Sequence, residues 1–215
     1  MARPRDPRRR AELLDQIVGY LAEHGIAQLS LRPLAKALGH STYVLTHHFT
    51  DKDELISAVL GHLDQRQKSR LRALPGWEEG RSLGDIVRAS WHWHMTEGLP
   101  MVRLLHEIEG LSSAGRLTGP YVPRMLSDRA EFVAEVLRAC GVPEAVALRN
   151  ATLLNAAYAG LQSDYLTTGD KERVETAVAA LAALADEWTS LAPGRPVPDD
   201  RLNGDGIGEH AREPD

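Results

Sequence analysis

Thr42, Tyr43, Thr46 and His47 place two hydroxyls, a phenol and an imidazole on the outward side of a short helical stretch, about Thr42 to His48. Threonine and tyrosine can hydrogen-bond base edges or phosphate oxygens, and the threonine methyl can lie against thymine. Lys52 follows in the first turn of a further helix, announced by Thr50–Asp51–Lys52–Asp53–Glu54. Asp51 and Glu54 have capping-box spacing, with aspartate in place of serine or threonine at the cap. A cation at that position opposes the helix dipole. A bound phosphate accounts for it, received jointly by backbone N–H groups and the lysine. A solvated lysine is the alternative. The chemistry is that of contact with a polyanion, not of bond breaking.

Catalytic and metal readings find less support. His92 and His94 flank Trp93, which sets the two imidazoles nearly opposite each other on a helix, so they cannot share a metal. His106 and Glu109 have the right spacing, but two ligands do not make a site, and Cys140 is the sole cysteine. One cysteine excludes an internal disulfide framework and a cysteine-rich zinc centre. The chain has no phosphate-cradling glycine loop, nucleophile elbow or paired-carboxylate constellation. We expect no enzyme activity, metal or cofactor.

The elements that would hold the contact residues are legible around them. Ser30 can N-cap a helix, with Pro33 in its opening turn, where the missing N–H costs nothing. Leu34, Ala35 and Leu38 give it an apolar stripe, and Gly39 is placed at C′ in the left-handed region. Ser41 can cap the next helix after only Gly39–His40–Ser41, and that helix would turn Leu45 and Phe49 to the core. Two helices so joined form a helix-turn-helix, whose second helix reads the major groove. Upstream, Asp6–Pro7 opens a scaffold helix to about His24, with Leu13, Leu14, Ile17, Val18 and Leu21 at helical spacing and Gly25 closing it. Residues 1–6 read as a basic, mobile arm supplying salt-dependent attraction to phosphates.

Charge is divided in the same sense. The 215 residues carry a net charge of −5, yet residues 1–72 hold 12 Lys and Arg against 8 Asp and Glu, and the remainder 13 against 22. A basic N-terminal part thus precedes an acidic remainder, as expected if only the first meets phosphates. The longest apolar run, Ala177–Ala185, is far short of a membrane span. The basic N-terminus lacks the apolar segment of a secretory signal, so a cytoplasmic location is expected.

These features together resemble the DNA-binding domain of the tetracycline-repressor (TetR) family. The resemblance rests on the helix ending near Gly25, Ser30–Leu31–Arg32, Leu34–Ala35, Leu38–Gly39, Leu45, His47–His48–Phe49 and Lys52–Glu54–Leu55, about the first quarter of the chain. It implies base or phosphate contacts by Arg32, Thr42, Tyr43 and Thr46, and phosphate anchoring by His47 and Lys52. Two positions depart from the family pattern, which commonly has a small residue at Tyr43 and an aromatic one at Thr46. Val44 replaces a common Thr or Ser.

Beyond the motif, helices are expected from Glu54 to about Leu71, over 82–97, from Pro100 through Ile108, from about Pro120 to Cys140, over 144–166 and from about Asp170 to Leu191. Gly61 inside the first of these reads as a close-packing site, with a bend as the alternative. Gly110–Pro120 reads as loose. The 144–166 helix is apolar nearly all round, and the last is widened by Ala179, Ala180, Ala182 and Ala183, so both call for cover on a second side. Two such helices from each of two subunits would form a four-helix bundle. The fold class is therefore all-α with about nine helices. A helix-turn-helix domain is expected at 1–50, a ligand-binding and dimerisation domain at 51–192 and a disordered tail at 193–215.

A small-molecule pocket in the second domain would draw on Trp91, His94, Met95, Met101, Leu105, Met125, Phe132, Asn155, Tyr158 and Gln162, aromatic and methionine surface with a few polar groups. Asn155 and Gln162 are the sharper signal, because buried amides need partners, although they could also pair across a dimer. The expected function is a homodimeric, ligand-responsive transcriptional regulator, a repressor that binds a palindromic DNA operator and is released by an unidentified small-molecule effector. Alternatives are an activator, an effector-independent DNA-binding regulator, or an all-helical interaction protein that does not bind DNA.

Overall fold

The computed structural model describes residues 7–27, 29–73, 82–117 and 119–190. Among these it holds nine α-helices and no strand: α1 Pro7–His24, α2 Leu31–Ala37, α3 Thr42–His48, α4 Lys52–Arg72, α5 Leu83–Met95, α6 Leu99–Ser113, α7 Tyr121–Ala139, α8 Glu144–Thr168 and α9 Lys171–Ser190. The basic arm, the Asp6 cap, the loop around Pro75 and the tail from residue 193 lie outside the described residues.

The N-terminal helices form where cap chemistry and apolar spacing agree. Leu13, Leu14, Ile17, Val18 and Leu21 of α1 are all buried, and Gly25 leaves the helix at φ 75°. Gly39 takes φ 69° after α2. Its N–H donates to the Lys36 carbonyl at 3.2 Å, and that of His40 donates to the Ala35 carbonyl at 2.9 Å. These two bonds close a Schellman turn and let α3 start three residues later. Leu34, Leu45, Phe49 and Leu55 are fully buried around that turn, each contributing about 1.5–3 kcal/mol by leaving water.

Ser30 and Ser41 occupy the N-cap positions of α2 and α3 without a side-chain cap bond. At α4 the Asp51 carboxylate accepts the Glu54 N–H at 2.7 Å. The return contact from Glu54 falls one residue early, since its carboxylate accepts the Thr50 N–H at 2.7 Å and the Thr50 hydroxyl at 2.8 Å.

The core around α1–α4 continues into the next unit through Met101, Leu104, Leu105, Ile108, Val122 and Met125. A second core joins α5, α7, α8 and α9 around Val87, Trp91, Leu137, Ala147, Ala151, Val178 and Ala182.

Two sequence expectations are corrected. The stretch from Gly110 is not loose at its start. α6 runs on to Ser113, because Leu111 packs against the first core and the Ala114 N–H still donates to the Gly110 carbonyl at 3.0 Å. Gly61 is not a close-packing site: it is exposed, a Cβ there would meet nothing within 4 Å, and α4 passes through it unbroken.

Candidate functional site

One surface is built by α2, the Gly39 turn, α3 and the start of α4. Tyr43 is 76% exposed, an unusual amount for a large aromatic residue. Its ring stacks on His47 with centroids 6.1 Å apart. Arg32, Thr46, His47 and Lys52 are exposed and Thr42 is half-buried, so the expected contact residues share the outer side of the motif. The Thr46 hydroxyl donates to the Thr42 and Tyr43 carbonyls at 3.1 and 3.2 Å, which leaves its methyl and oxygen lone pairs for an outside partner. On the inner side Arg10 lies over the Phe49 ring at 5.4 Å, and the His40 ring bonds Gln16 at 3.2 Å. α1 thereby supports both the turn and the end of α3.

The second feature is a cavity of about 110 Å³ lined by α4, α5, α6, α7 and α8. Of the residues expected there, His94, Leu105, Phe132, Asn155, Tyr158 and Gln162 line it. The others do not. Met101 and Met125 belong to the core around α1–α4, because α6 and α7 fold back on those helices. Trp91 stands edge-on to Tyr158 and Tyr165, at 5.6 and 6.3 Å, behind the cavity wall. Met95 packs against the second core.

Sequence reasoning missed the charged part of the lining. Lys68 pairs with Asp64 at 2.8 Å, and Arg129 pairs with Glu109 at 3.3 Å. Their signal is the i,i+4 placement of Asp64 and Lys68 beside Leu71, and the i,i+3 placement of His106 and Glu109 beside Leu105.

His94 is the most enclosed polar group of the cavity, at 3% exposure. Burial lowers its pKa to about 4, so the ring is neutral near pH 7. The Ser90 carbonyl, 2.8 Å from Nδ1, can only accept, which places the proton on Nδ1 and leaves Nε2 to accept from the Gln67 amide at 3.0 Å. The Tyr158 oxygen lies 2.9 Å from the same Nδ1.

Two helices belong to both features. α4 begins at Lys52 and carries Asp64, Gln67, Lys68 and Leu71 to the cavity. α6 lines the cavity through Val102, Leu105, His106 and Glu109. From α6 the Glu107 carboxylate also accepts the N–H groups of Ile26 and Ala27, at 2.9 and 3.1 Å, in the turn after α1.

A helix-turn-helix with an exposed second helix, set on a helical body, is the architecture of a DNA-binding transcriptional regulator. Residues 13–59 match the profile of the family described as bacterial regulatory proteins, tetR family. It is 25% identical over 182 residues to the HTH-type transcriptional regulator BetI of Serratia proteamaculans, covering 75% of this chain and 92% of that protein. A TetR-family transcriptional regulator from a Rhodococcus species shares the fold, with a TM-score of 0.69 at 19% identity over 84% of this chain and 98% of that one. The multidrug binding protein EbrR, solved in complex with imidazole, superposes with a TM-score of 0.62 at 26% identity, over 84% of this chain and 93% of its own.

Proposed function

We propose that the protein is a homodimeric repressor that binds a palindromic operator and leaves it when a small molecule occupies the cavity. The observation that carries this reading is the shared use of α4 and α6, each of which touches the cavity and the DNA-reading unit. A ligand that reshapes the wall moves helices that also position α3. It lowers DNA affinity only if it binds the non-reading shape better, by about 1.4 kcal/mol per tenfold loss. The solved EbrR–imidazole complex shows a structural relative holding a small molecule. In this reading the DNA-reading unit extends to about residue 50, the regulatory unit runs from 51 to 192, and the protein works in the cytoplasm.

Tyr43, Thr42, Thr46 and Arg32 meet bases or phosphates, and His47 and Lys52 anchor phosphates. In the first turn of α4 the Glu54 N–H is taken by Asp51, and the N–H groups of Lys52 and Asp53 precede it. Dimerisation uses α8 and α9. Leu148, Leu153 and Leu184 are 43%, 53% and 38% exposed on one protomer, and Ala156, Gly160, Ala180 and Ala183 lie exposed among them. Small residues between exposed leucines suit close helix–helix approach, and a two-fold pair of recognition helices about 34–36 Å apart reads two half-sites.

The test is a mobility-shift titration on the chain's own upstream DNA, across a range of salt, followed by a panel of metabolites and drugs. Wild type binds with an affinity that falls as salt rises. Lys52→Ala lowers the slope of log affinity against log salt by about one. An effector from the panel releases the DNA. Absence of binding at low salt overturns the reading, and a protein that binds DNA but is released by nothing in the panel is a constitutive regulator.

A further inference from the structure

We propose that the effector carries an acceptor-oxygen head, a carboxylate or a neutral carbonyl, on a hydrocarbon body, and that Arg129, Asn155, Tyr158 and Gln162 receive that head. The proposal rests on reading the cavity as the effector site.

The first argument is an excess of donors. The Arg129 Nε and Asn155 Nδ2 atoms are buried and have no hydrogen-bond partner among the described residues. A buried donor left without an acceptor forfeits the hydrogen bond it made to water, so such a group seeks an acceptor. Tyr158 adds a third donor. Because the proton on His94 Nδ1 is fixed by the Ser90 carbonyl, the Tyr158 oxygen can only accept there, and its own hydroxyl proton has no acceptor among the described residues. Gln162 uses its carbonyl oxygen toward His106 at 3.4 Å, which leaves its amide N–H groups over. Asn155, Tyr158 and Gln162 follow one another at i, i+3 and i+7, so they form a row along one face of α8. The arginine and tyrosine are donors whichever way the asparagine amide is turned.

The second argument is charge. Asp64 and Glu109 are already paired with Lys68 and Arg129, so among the described residues of the lining a cationic head finds no free carboxylate. The Phe132 ring, one of the aromatic faces in the lining, is already covered by Lys68 at 5.5 Å and Arg72 at 5.1 Å. A head with acceptor oxygens breaks neither pair and satisfies the spare donors. Its body has a place as well. Ile86, Val87, Val133, Val136 and Leu154 make the wall beyond the donor row apolar.

The test is calorimetric titration of the full chain with octanoate, octanamide and octyltrimethylammonium, three probes with one body and different heads. Octanoate or octanamide binds at least tenfold more tightly than the cation. Octanoate alone identifies an anionic head, and both together a carbonyl head. Asn155→Leu weakens the bound probe by about tenfold, and Arg129→Met weakens octanoate more than octanamide. Should Asn155→Leu not fold by circular dichroism, Tyr158→Phe keeps the ring, removes only the hydroxyl and weakens the probe several-fold. Equal or tighter binding of the cation, binding of none of the three, or unchanged affinity in the variants overturns the proposal. Operator release is measured in parallel. Release by the cation alone overturns the head chemistry and keeps the effector reading, whereas an acceptor probe that fills the cavity without releasing DNA overturns the effector reading itself.

Discussion

Glu107 on α6 accepts the backbone N–H of Ile26 at 2.9 Å, and with the same carboxylate oxygen that of Ala27 at 3.1 Å. The contact explains the residue before it in the turn. Gly25 has φ 75°, and a Cβ there would lie 3.0 Å from that oxygen. The turn between α1 and α2 is thus held by an acid distant in sequence, on a helix that also lines the cavity.

Replacing Glu107 with alanine strands one partly buried N–H group and exposes another. We expect Glu107→Ala to lose about 1–2 kcal/mol of stability and Glu107→Gln, which keeps an acceptor oxygen, to lose less. Denaturant titration checks the order. Equal losses would mean that a neutral acceptor oxygen cannot replace the carboxylate and that the two hydrogen bonds alone do not account for the effect.

Leu153 is 53% exposed on a single protomer, so Leu153→Asp should leave helix content unchanged while turning the proposed dimer into a monomer. Sedimentation of wild type and variant at equal concentration reads this directly. Operator affinity falls with the dimer, because one recognition helix reads only one half-site. A variant that stays dimeric would place the interface elsewhere.

Gly61 sits inside α4, exposed, with open space where a Cβ would go. Gly61→Ala should raise stability by about 0.5–1 kcal/mol, through the lower conformational entropy of the unfolded chain and the better helix propensity of alanine. A thermal melt that moves down instead would show a neighbour outside the protomer at that position.

His94 supplies a pH dependence. Its folded pKa is lowered to about 4 from the ordinary 6.5, chiefly by burial. Between those values the unfolded chain takes up a proton that the folded chain refuses, so stability is full above 6.5 and declines as pH falls toward 4. The loss from this group is on the order of 2 kcal/mol between pH 7 and pH 5. His94→Gln should flatten that part of the curve, as seen in denaturation midpoints at the two pH values.

Much of the reading unit was legible before any coordinates. Gly25 and Gly39 announce the helix ends, and Leu34, Leu45 and Phe49 fall where a 3.6-residue period puts them, because these are local rules. The cavity was legible in part. Asn155, Tyr158 and Gln162 stood out as polar groups on an apolar helix. Met101 and Met125 misled, since methionine fills core and pocket alike, and only the long-range docking of α6 and α7 on the N-terminal helices decides which. Arg129 and Lys68 were passed over because a charged helix residue reads as solvated until what it meets on another helix is seen, Glu109 for Arg129 and the Phe132 ring for Lys68. Glu107 gave no signal, for its acceptors' partners are backbone groups on a distant turn.

The continuity of α4 has a mechanical consequence. Lys52 and Lys68 stand on one unbroken helix, about 24 Å apart at the usual rise per residue. A rod of that length swings its tip by about 2 Å for a 5° tilt, comparable to the margin within which a side chain keeps or loses a hydrogen bond to a phosphate. Side-chain rearrangement by the width of a methyl group at one end is then enough to spoil registration at the other, and Gly61 lies on the stretch between them.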